Sequence, residues 1–521
     1  MVCLKNMKKA WKKILLVIVL LLLPFIIFTY RLTENPPGFF IDESTYGYEA
    51  YHLLTNNGLS SSGDFLPRLF YVGPGDPTRN HHEYTYLVIP FIVLFGLTEF
   101  AVRLTSVIAS ILLLCILYLL LRKKVSFVSF CLAALCWPII AWVFLLSRIG
   151  MEFMMTALFF ALSLFFVERL HEKKFQKRFF LLMFLGISIG GLFYMYAAGK
   201  VLAVGMMALS LWTAKKIKLP LSQLFFLLSF FITTFLLAIP YVLDGSFFYR
   251  ANELPLFCSE KVLSCFMTNL FSHLSMQAYF GSTYRPPDFA VYTHSIIGTS
   301  LIPWYLGIFL FIGIGIVIYR TIKKDFFSQL ILFAALLAMI PASLTIRGFD
   351  SYRSVALLPL FFIFITYGIE GSLGHAKRFL SRLYLFVPIT LCVLFMIFGY
   401  HELKILLAYE KQTVAATYGG WQYGYRQIFT YVQQHYGEYD RFVITPQIAY
   451  GPHIYTKFYD PKREYTKIVT GKISVTKSST TLYILRPEEV MAPRLKEKFH
   501  IRQTIYYPNG KDKAFLLGTV E

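Results

Sequence analysis

Apolar residues in this chain come in long blocks rather than in the alternating or half-buried patterns of a water-soluble domain. Stretches of roughly 15 to 23 residues with almost no charge are separated by short polar segments, about the length a helix needs to cross a ~30 Å hydrocarbon core. The blocks are predicted to be helices, because a helix satisfies its own backbone in lipid. The first is "MVCLKNMKKAWKKILLVIVLLLLPFIIFTY", a basic start and an apolar run with no small-residue cleavage site after it. It reads as an uncleaved first span, about 14 to 30.

Charge sets the direction of the spans. Lys8, Lys9, Lys12 and Lys13 hold the N-terminus in the cytoplasm. If both 84–97 and 101–121 crossed, Arg122, Lys123 and Lys124 would lie outside. The stretch 84–97 is therefore expected to lie along the outer interface, and only 101–121 to cross. Basic clusters at 168–178, 215–218, 319–324 and 375–382 then all face inward. About eleven spans result, with outer connections at 31–100, 147–152, 197–200, 244–300 and 345–354. The long connection 244–300 is expected to be an acceptor-facing lid, from its length and position.

After residue 400 the pattern changes. "GWQYGYRQIFTYVQQHYG" has helical periodicity, and "RFVITP", "TLYILRP" and "KAFLLGTV" read as strands. "PNGKD" has the turn chemistry of a hairpin. Residues 1–400 are thus expected to form the membrane domain and 401–521 an extracytoplasmic soluble α/β domain.

Composition agrees: 56% of the 521 residues are hydrophobic and 15% charged, so this is a polytopic α-helical membrane protein. The net charge of +21 lies at the ends of spans, which reports topology and excludes nucleic acid as the partner it would otherwise suggest. The seven cysteines form no metal-binding pattern. Cys258 and Cys265 share one polar loop, where a disulfide can form if that loop is extracellular. No repeat or paired broken span marks a secondary transporter, and buried charge within the spans reads as nearly absent, so no ion relay is expected.

Candidate chemistry collects on the outer side. Asp42 and Glu43 follow Pro36, Pro37 and Gly38 and open a helix whose Tyr46, Ala50, Leu53 and Leu54 share a face. Asp42 or Ser44 is an N-cap candidate, and Glu43 suits the helix dipole. A carboxylate held there is also well oriented to act as a general base. Glu152 lies four residues after Arg148, the spacing of a surface ion pair. His81, His82 and Glu83 are candidate ligands of a divalent cation, Mg or Mn, together with Asp42 or Glu43, although adjacent histidines diverge on most backbones. No other cofactor is indicated. Lys200, Arg347 and Arg353 are interfacial cations, read either as snorkelling anchors or as a phosphate clamp.

"DESTYGYEAYHLL", "LFGLTEFAVRLTSVIAS", "SRIGMEF" and "IPASLTIRGFDSYRSVALLP" resemble the motifs of the GT-C membrane glycosyltransferases. The likeness is to the bacterial branch, glycosyltransferase family 39, that groups with protein O-mannosyltransferases and aminoarabinose transferases. It covers 36 to 365 and leaves the C-terminal domain outside. The resemblance implies a GT-C fold with extracytoplasmic juxtamembrane helices and a polyprenyl-phosphate-linked sugar donor. It also implies Asp42 as base and Glu152 as the second acid; Glu43 beside Asp42 is a further catalytic candidate, and Arg148, Lys200, Arg347 and Arg353 are the candidates for the donor phosphate. Where many relatives have a Lys-Pro-Pro segment, this chain has "RNHHEYTY".

The expected reaction moves a sugar to an acceptor hydroxyl of protein, lipid or cell-wall polymer at the outer face of the plasma membrane. It proceeds by single displacement with inversion. Rival readings are a flippase for lipid-linked saccharide and a non-catalytic envelope assembly protein.

Overall fold

The computed structural model describes residues 2–61, 63, 82–172, 178–243, 262–281, 296, 298–345, 348–412, 421–445, 452–471, 478–493 and 495–520. Side chains are described for these except 2–14, 82, 241, 381–382 and 478–479. Residues divide into two compact units. One comprises Met1–Tyr30, Ser106–Pro286 and His294–Leu406; the other includes Arg31–Thr105 and Leu407–Glu521. The first outer loop, grouped with the spans on sequence grounds, thus clusters with the C-terminal residues.

The first unit is helical. Helix α1 (Val2–Thr29) carries the described apolar stretch Leu15–Thr29. Among the described residues, 9 helices are long and apolar enough to cross a membrane, from Glu99–Leu121 to Leu383–Leu407. A further pair, Phe127–Ile139 with Ala141–Arg148, meets the same test together but bends by 60°. Together with α1 these correspond to the eleven blocks read from the sequence. The third block is therefore a bent pair rather than one straight helix. Trp137–Ile139 tightens into a 3₁₀ turn around Pro138, which has no N–H to continue the ladder. Elsewhere helices pack through small residues. A Cβ on Gly313 would lie 1.8 Å from the Phe364 carbonyl oxygen, and one on Gly368 would lie 1.9 Å from that of Phe309. Trp304–Ile322 and Leu357–Phe379 therefore approach at backbone distance, as membrane helices do where side chains permit.

Buried charge is more abundant in this unit than the sequence suggested. Glu168 and Arg169, in the last turn of Phe153–Glu172, are both buried. Lys124 Nζ lies 2.9 Å from Glu168 Oε1, and Arg169 Nη1 lies 2.7 Å from Glu172 Oε2. These charges pair at a helix end, where chain turns bring Lys and Glu together.

The second unit contains α2 (Ile41–Thr55), α3 (His82–Phe95), a C-terminal helix Tyr425–Gln434 and a five-stranded sheet. At 14 residues α3 is too short to span a bilayer, as its interfacial reading requires. Its Tyr84, Val88 and Ile92 are buried, while Val93, Leu94 and Phe95 are exposed at its end. The strands are β1 (Arg441–Ile444), β2 (Ile468–Thr470), β3 (Ser478–Leu485), β4 (Phe499–Tyr506) and β5 (Lys513–Val520), in the order β2-β1-β3-β5-β4. β1 pairs in parallel with β2 and β3, and β5 is antiparallel to β3 and β4. β1, β3 and β5 are the three runs read as strands, and β4–β5 is the hairpin foreseen at "PNGKD". Val443, Leu485, Phe499 and Leu516 share the core.

Candidate functional site

Helix α2 begins one residue before Asp42. Its N-cap is Phe40, in extended backbone, rather than Asp42 or Ser44. Phe40 N–H donates to Glu43 Oε2 at 2.9 Å, so the acid three positions on closes the cap. The Ser44 hydroxyl instead donates back to the Ile41 carbonyl at 2.7 Å. Of the four residues expected on one face, Tyr46, Ala50 and Leu53 are buried, whereas Leu54 is 40% exposed.

The two adjacent acids have different surroundings. Glu43 is fully buried, and Arg103, also fully buried, donates from Nε to its Oε1 at 2.9 Å and from Nη2 to its Oε2 at 3.1 Å. The same guanidinium donates to the carbonyls of Leu32 and Pro36, each at 2.9 Å, and to that of Gly38. One side chain thus ties the turn 32–38 to the first turn of α2, a use that suits the planar fork of arginine. Asp42 is half-buried in the same helical turn. Its backbone is clamped on both sides by cap and ion pair.

Residues from after position 420 complete this segment. Ile41 N–H donates to Gln422 Oε1 at 2.8 Å. The Tyr455 hydroxyl lies within hydrogen-bonding reach of the Phe39 carbonyl, at 3.0 Å, and of Gln422 Oε1. Burial is the main cause that holds the Tyr455 phenol well above its ordinary range, with the neighbouring Tyr425, Tyr459, Glu43 and Asp42 adding to it. A second cluster lies beside it. Arg426 forks onto Glu99 and reaches the Thr33 carbonyl, and Tyr459 donates to Glu99.

In the other unit, three segments expected to carry outer-face chemistry meet at aromatic rings. Phe153, next to Glu152, stacks on Tyr352 with centroids 4.2 Å apart and meets Tyr196 edge-on at 5.2 Å. Tyr352 precedes Arg353, and Tyr196 is the N-cap of Ala197–Lys216, whose first turn holds Lys200. Glu152 is buried, and Lys200 and Arg353 are half-buried. Arg353 Nη1 donates to Thr345 Oγ1 at 3.1 Å, and its backbone N–H, like that of Tyr352, donates to Asp350 Oδ1.

Arg148 and Glu152, expected as an ion pair at the surface, are both buried. Arg148 is fully buried and donates to the carbonyls of Ile27 at 2.9 Å, Phe28 at 2.8 Å and Tyr30 at 2.8 Å. These are the carbonyls that the end of α1 leaves without helical partners, so Arg148 caps it with charge of the favourable sign.

Arg347, His81 and the side chain of His82 lie outside the described residues. Glu83 is buried. Among the described residues no three His, Cys, Asp or Glu side chains are grouped to hold a metal ion. Cys265 is disulfide-bonded, while Cys258 lies outside the described residues.

Sequence reasoning missed Arg103, Glu99, Gln422, Arg426, Tyr455 and Tyr459. For Arg103 a signal existed: it is the one basic residue within the otherwise apolar 99–121 helix. The others carry no local signal, because their partners lie more than 300 positions away.

Residues 18–254 match the family model described as dolichyl-phosphate-mannose-protein mannosyltransferase. No curated protein sequence matches the chain. In structure it is similar to ArnT from Cupriavidus metallidurans in the apo state, at 11% identity and a TM-score of 0.55, covering 98% of both chains. The same ArnT bound to undecaprenyl phosphate aligns at 12% identity and a TM-score of 0.51, covering 97% of both. The oligosaccharyltransferase AglB from Archaeoglobus fulgidus, in complex with an inhibitory peptide and a dolichol-phosphate, aligns at 13% identity and a TM-score of 0.48; 87% of this chain is covered, which spans 64% of that one. The resemblance read from the motifs is thus matched by a family model over 18–254, and the chain is a multi-pass membrane protein with the GT-C fold.

Proposed function

We propose that this chain is a polyprenyl-phosphate-dependent membrane glycosyltransferase in which Asp42 is the general base. The observation that carries the reading is the division of labour between adjacent acids. Glu43 is consumed by the cap of α2 and by Arg103, and this fixes the helix turn that carries Asp42, a half-buried acid one residue away. A base that is fixed before the substrate arrives needs no reorganisation in the transition state. The family model over 18–254 and the fold shared with an ArnT solved with undecaprenyl phosphate support the donor class.

In the proposed step the acceptor oxygen attacks the anomeric carbon while Asp42 takes the hydroxyl proton. The bond to the phosphate oxygen breaks, and polyprenyl phosphate leaves with the electron pair. A single displacement inverts the anomeric centre. Arg353 and Lys200 are assigned to the donor phosphate, where cations stabilise the charge that develops as it leaves. Glu152 keeps its assignment as the second acid, and Glu43 acts by positioning Asp42. Arg148, engaged by the end of α1, is assigned to structure. The N-terminus is placed in the cytoplasm and residues 401–521 outside.

The test uses the full chain in proteoliposomes with envelope extract and a panel of undecaprenyl-phosphate donors bearing tritiated mannose, glucose or aminoarabinose. Transfer by the wild type and loss of transfer in Asp42→Asn, with donor binding retained, is the expected result. Translocation of donor without transfer would instead favour the flippase reading.

A further inference from the structure

We infer that Gln422 and Tyr455 are positioning residues for Asp42, so that the C-terminal α/β domain helps to hold the proposed base. This rests on the reading of Asp42 given above and adds a role for the part of the chain that no motif covers.

A helix leaves the N–H groups of its first turn without helical acceptors. In α2 the N-cap N–H is satisfied locally, by Glu43, but the next, that of Ile41, points at Gln422 Oε1. Gln422 is separated from Ile41 by 381 positions and is buried to 1% exposure. The Tyr455 hydroxyl lies within reach of the preceding carbonyl, that of Phe39, and of the Gln422 oxygen, two acceptors for its one proton. The residues on both sides of the N-cap are therefore fixed by groups from the C-terminal segment, immediately before Asp42.

Gln422 is held in place in turn. Its φ of +49° lies in the left-handed region, which a non-glycine residue adopts at a free-energy cost and keeps only where its surroundings impose it. The residue before it leaves no slack, because a Cβ on Gly38 would sit 1.7 Å from the Trp421 carbonyl oxygen. Tyr455 is fixed by stacking on Tyr425, with centroids 3.7 Å apart and planes 11° from parallel. Its hydroxyl stays protonated throughout the physiological range, so it remains a donor to Phe39. A strained backbone that presents one acceptor oxygen to the first turn of α2 is explained by what that oxygen holds.

The experiment compares Gln422→Ala, Gln422→Glu and Tyr455→Phe in the full chain, using the tritiated undecaprenyl-phosphate sugar that transfers best in the panel above. Turnover, donor KM and amide hydrogen exchange across residues 39–45 are measured together. Expected for Gln422→Ala are faster exchange at Ile41 and a fall in kcat of about 10-fold or more, the scale of a misplaced reacting group, with donor KM unchanged. Gln422→Glu keeps an acceptor oxygen toward the Ile41 N–H and should recover most of the loss. Tyr455→Phe removes one hydroxyl from a stacked ring and should lower kcat in the same direction; it decides the matter if Gln422→Ala does not fold. Unchanged kcat despite faster exchange, or a rise in KM with kcat intact, would overturn the inference. Full activity in Asp42→Asn would overturn the base assignment instead, and the exchange data would still report whether Gln422 holds the helix start.

Discussion

Arg103 Nε lies 2.9 Å from Glu43 Oε1, and both side chains are wholly buried. Removing either partner strands the other charge away from water, a loss on the order of 3–5 kcal/mol. The two losses should differ, because Arg103 also serves the carbonyls of Leu32, Pro36 and Gly38. Arg103→Met is expected to lower the heat-aggregation midpoint in detergent more than Glu43→Gln does. Equal shifts would mean that those carbonyl contacts contribute nothing.

Gly38 faces the Trp421 carbonyl so closely that a methyl group there has no room. Backbone cannot move aside as a flexible side chain can, so Gly38→Ala should exceed the about 1–3 kcal/mol of ordinary overpacking. Loss of detergent-soluble protein is expected, and normal yield with a normal melting midpoint would contradict the close approach.

Much of the architecture was legible because lipid imposes a simple rule. Each span had to be apolar throughout, and 84–97 was set apart from the spans because its crossing would have placed Arg122 to Lys124 on the wrong side. The C-terminal strands β1, β3 and β5 stood out as apolar runs; β1 and β5 are buried on both faces along most of their length. β4 was missed because its middle is exposed and polar, and β2 because it is only 3 residues long. The site was half legible. "IDEST" announced a helix start with acids, but nothing local says which acid is taken into a buried ion pair. Arg103, which pairs with Glu43, and Gln422, which accepts from the Ile41 N–H, lie 60 and 381 positions from those partners.

Arg148 offers a test of charge against shape. Its guanidinium serves three carbonyls at the end of α1 at once, and it also lies over the Phe144 ring at 4.9 Å. A lysine keeps the charge but lacks the fork. Arg148→Lys should leave at least one buried acceptor unsatisfied, at about 1–3 kcal/mol. The expected readout is faster proteolysis after α1 and a lowered melting midpoint, and equal stability would show that charge alone suffices.

His273 gives the loop that carries Arg353 a predicted acid sensitivity. It is buried, with Nδ1 3.0 Å from the Asn269 carbonyl, Nε2 3.1 Å from Ser354 Oγ and its ring edge-on to Phe349. Burial pulls its pKa below the ordinary histidine value, and the Asn269 and Leu270 backbone groups oppose this only in part. In the unfolded chain the group takes up a proton near pH ~6.5, while the folded chain resists it. The stabilising contribution is therefore complete above that pH and is lost as pH falls from it toward the depressed native value. Asn269 Nδ2 donates to the Thr345 carbonyl at 2.6 Å and Ser272 Oγ accepts from Phe349 N–H at 2.8 Å, so this helix end holds the loop that carries Arg353. Below pH ~6.5 that loop should exchange its amides faster and donor affinity should weaken. His273→Gln cannot take up the proton and should flatten both dependences; a variant that keeps the wild-type acid response would remove His273 as the source.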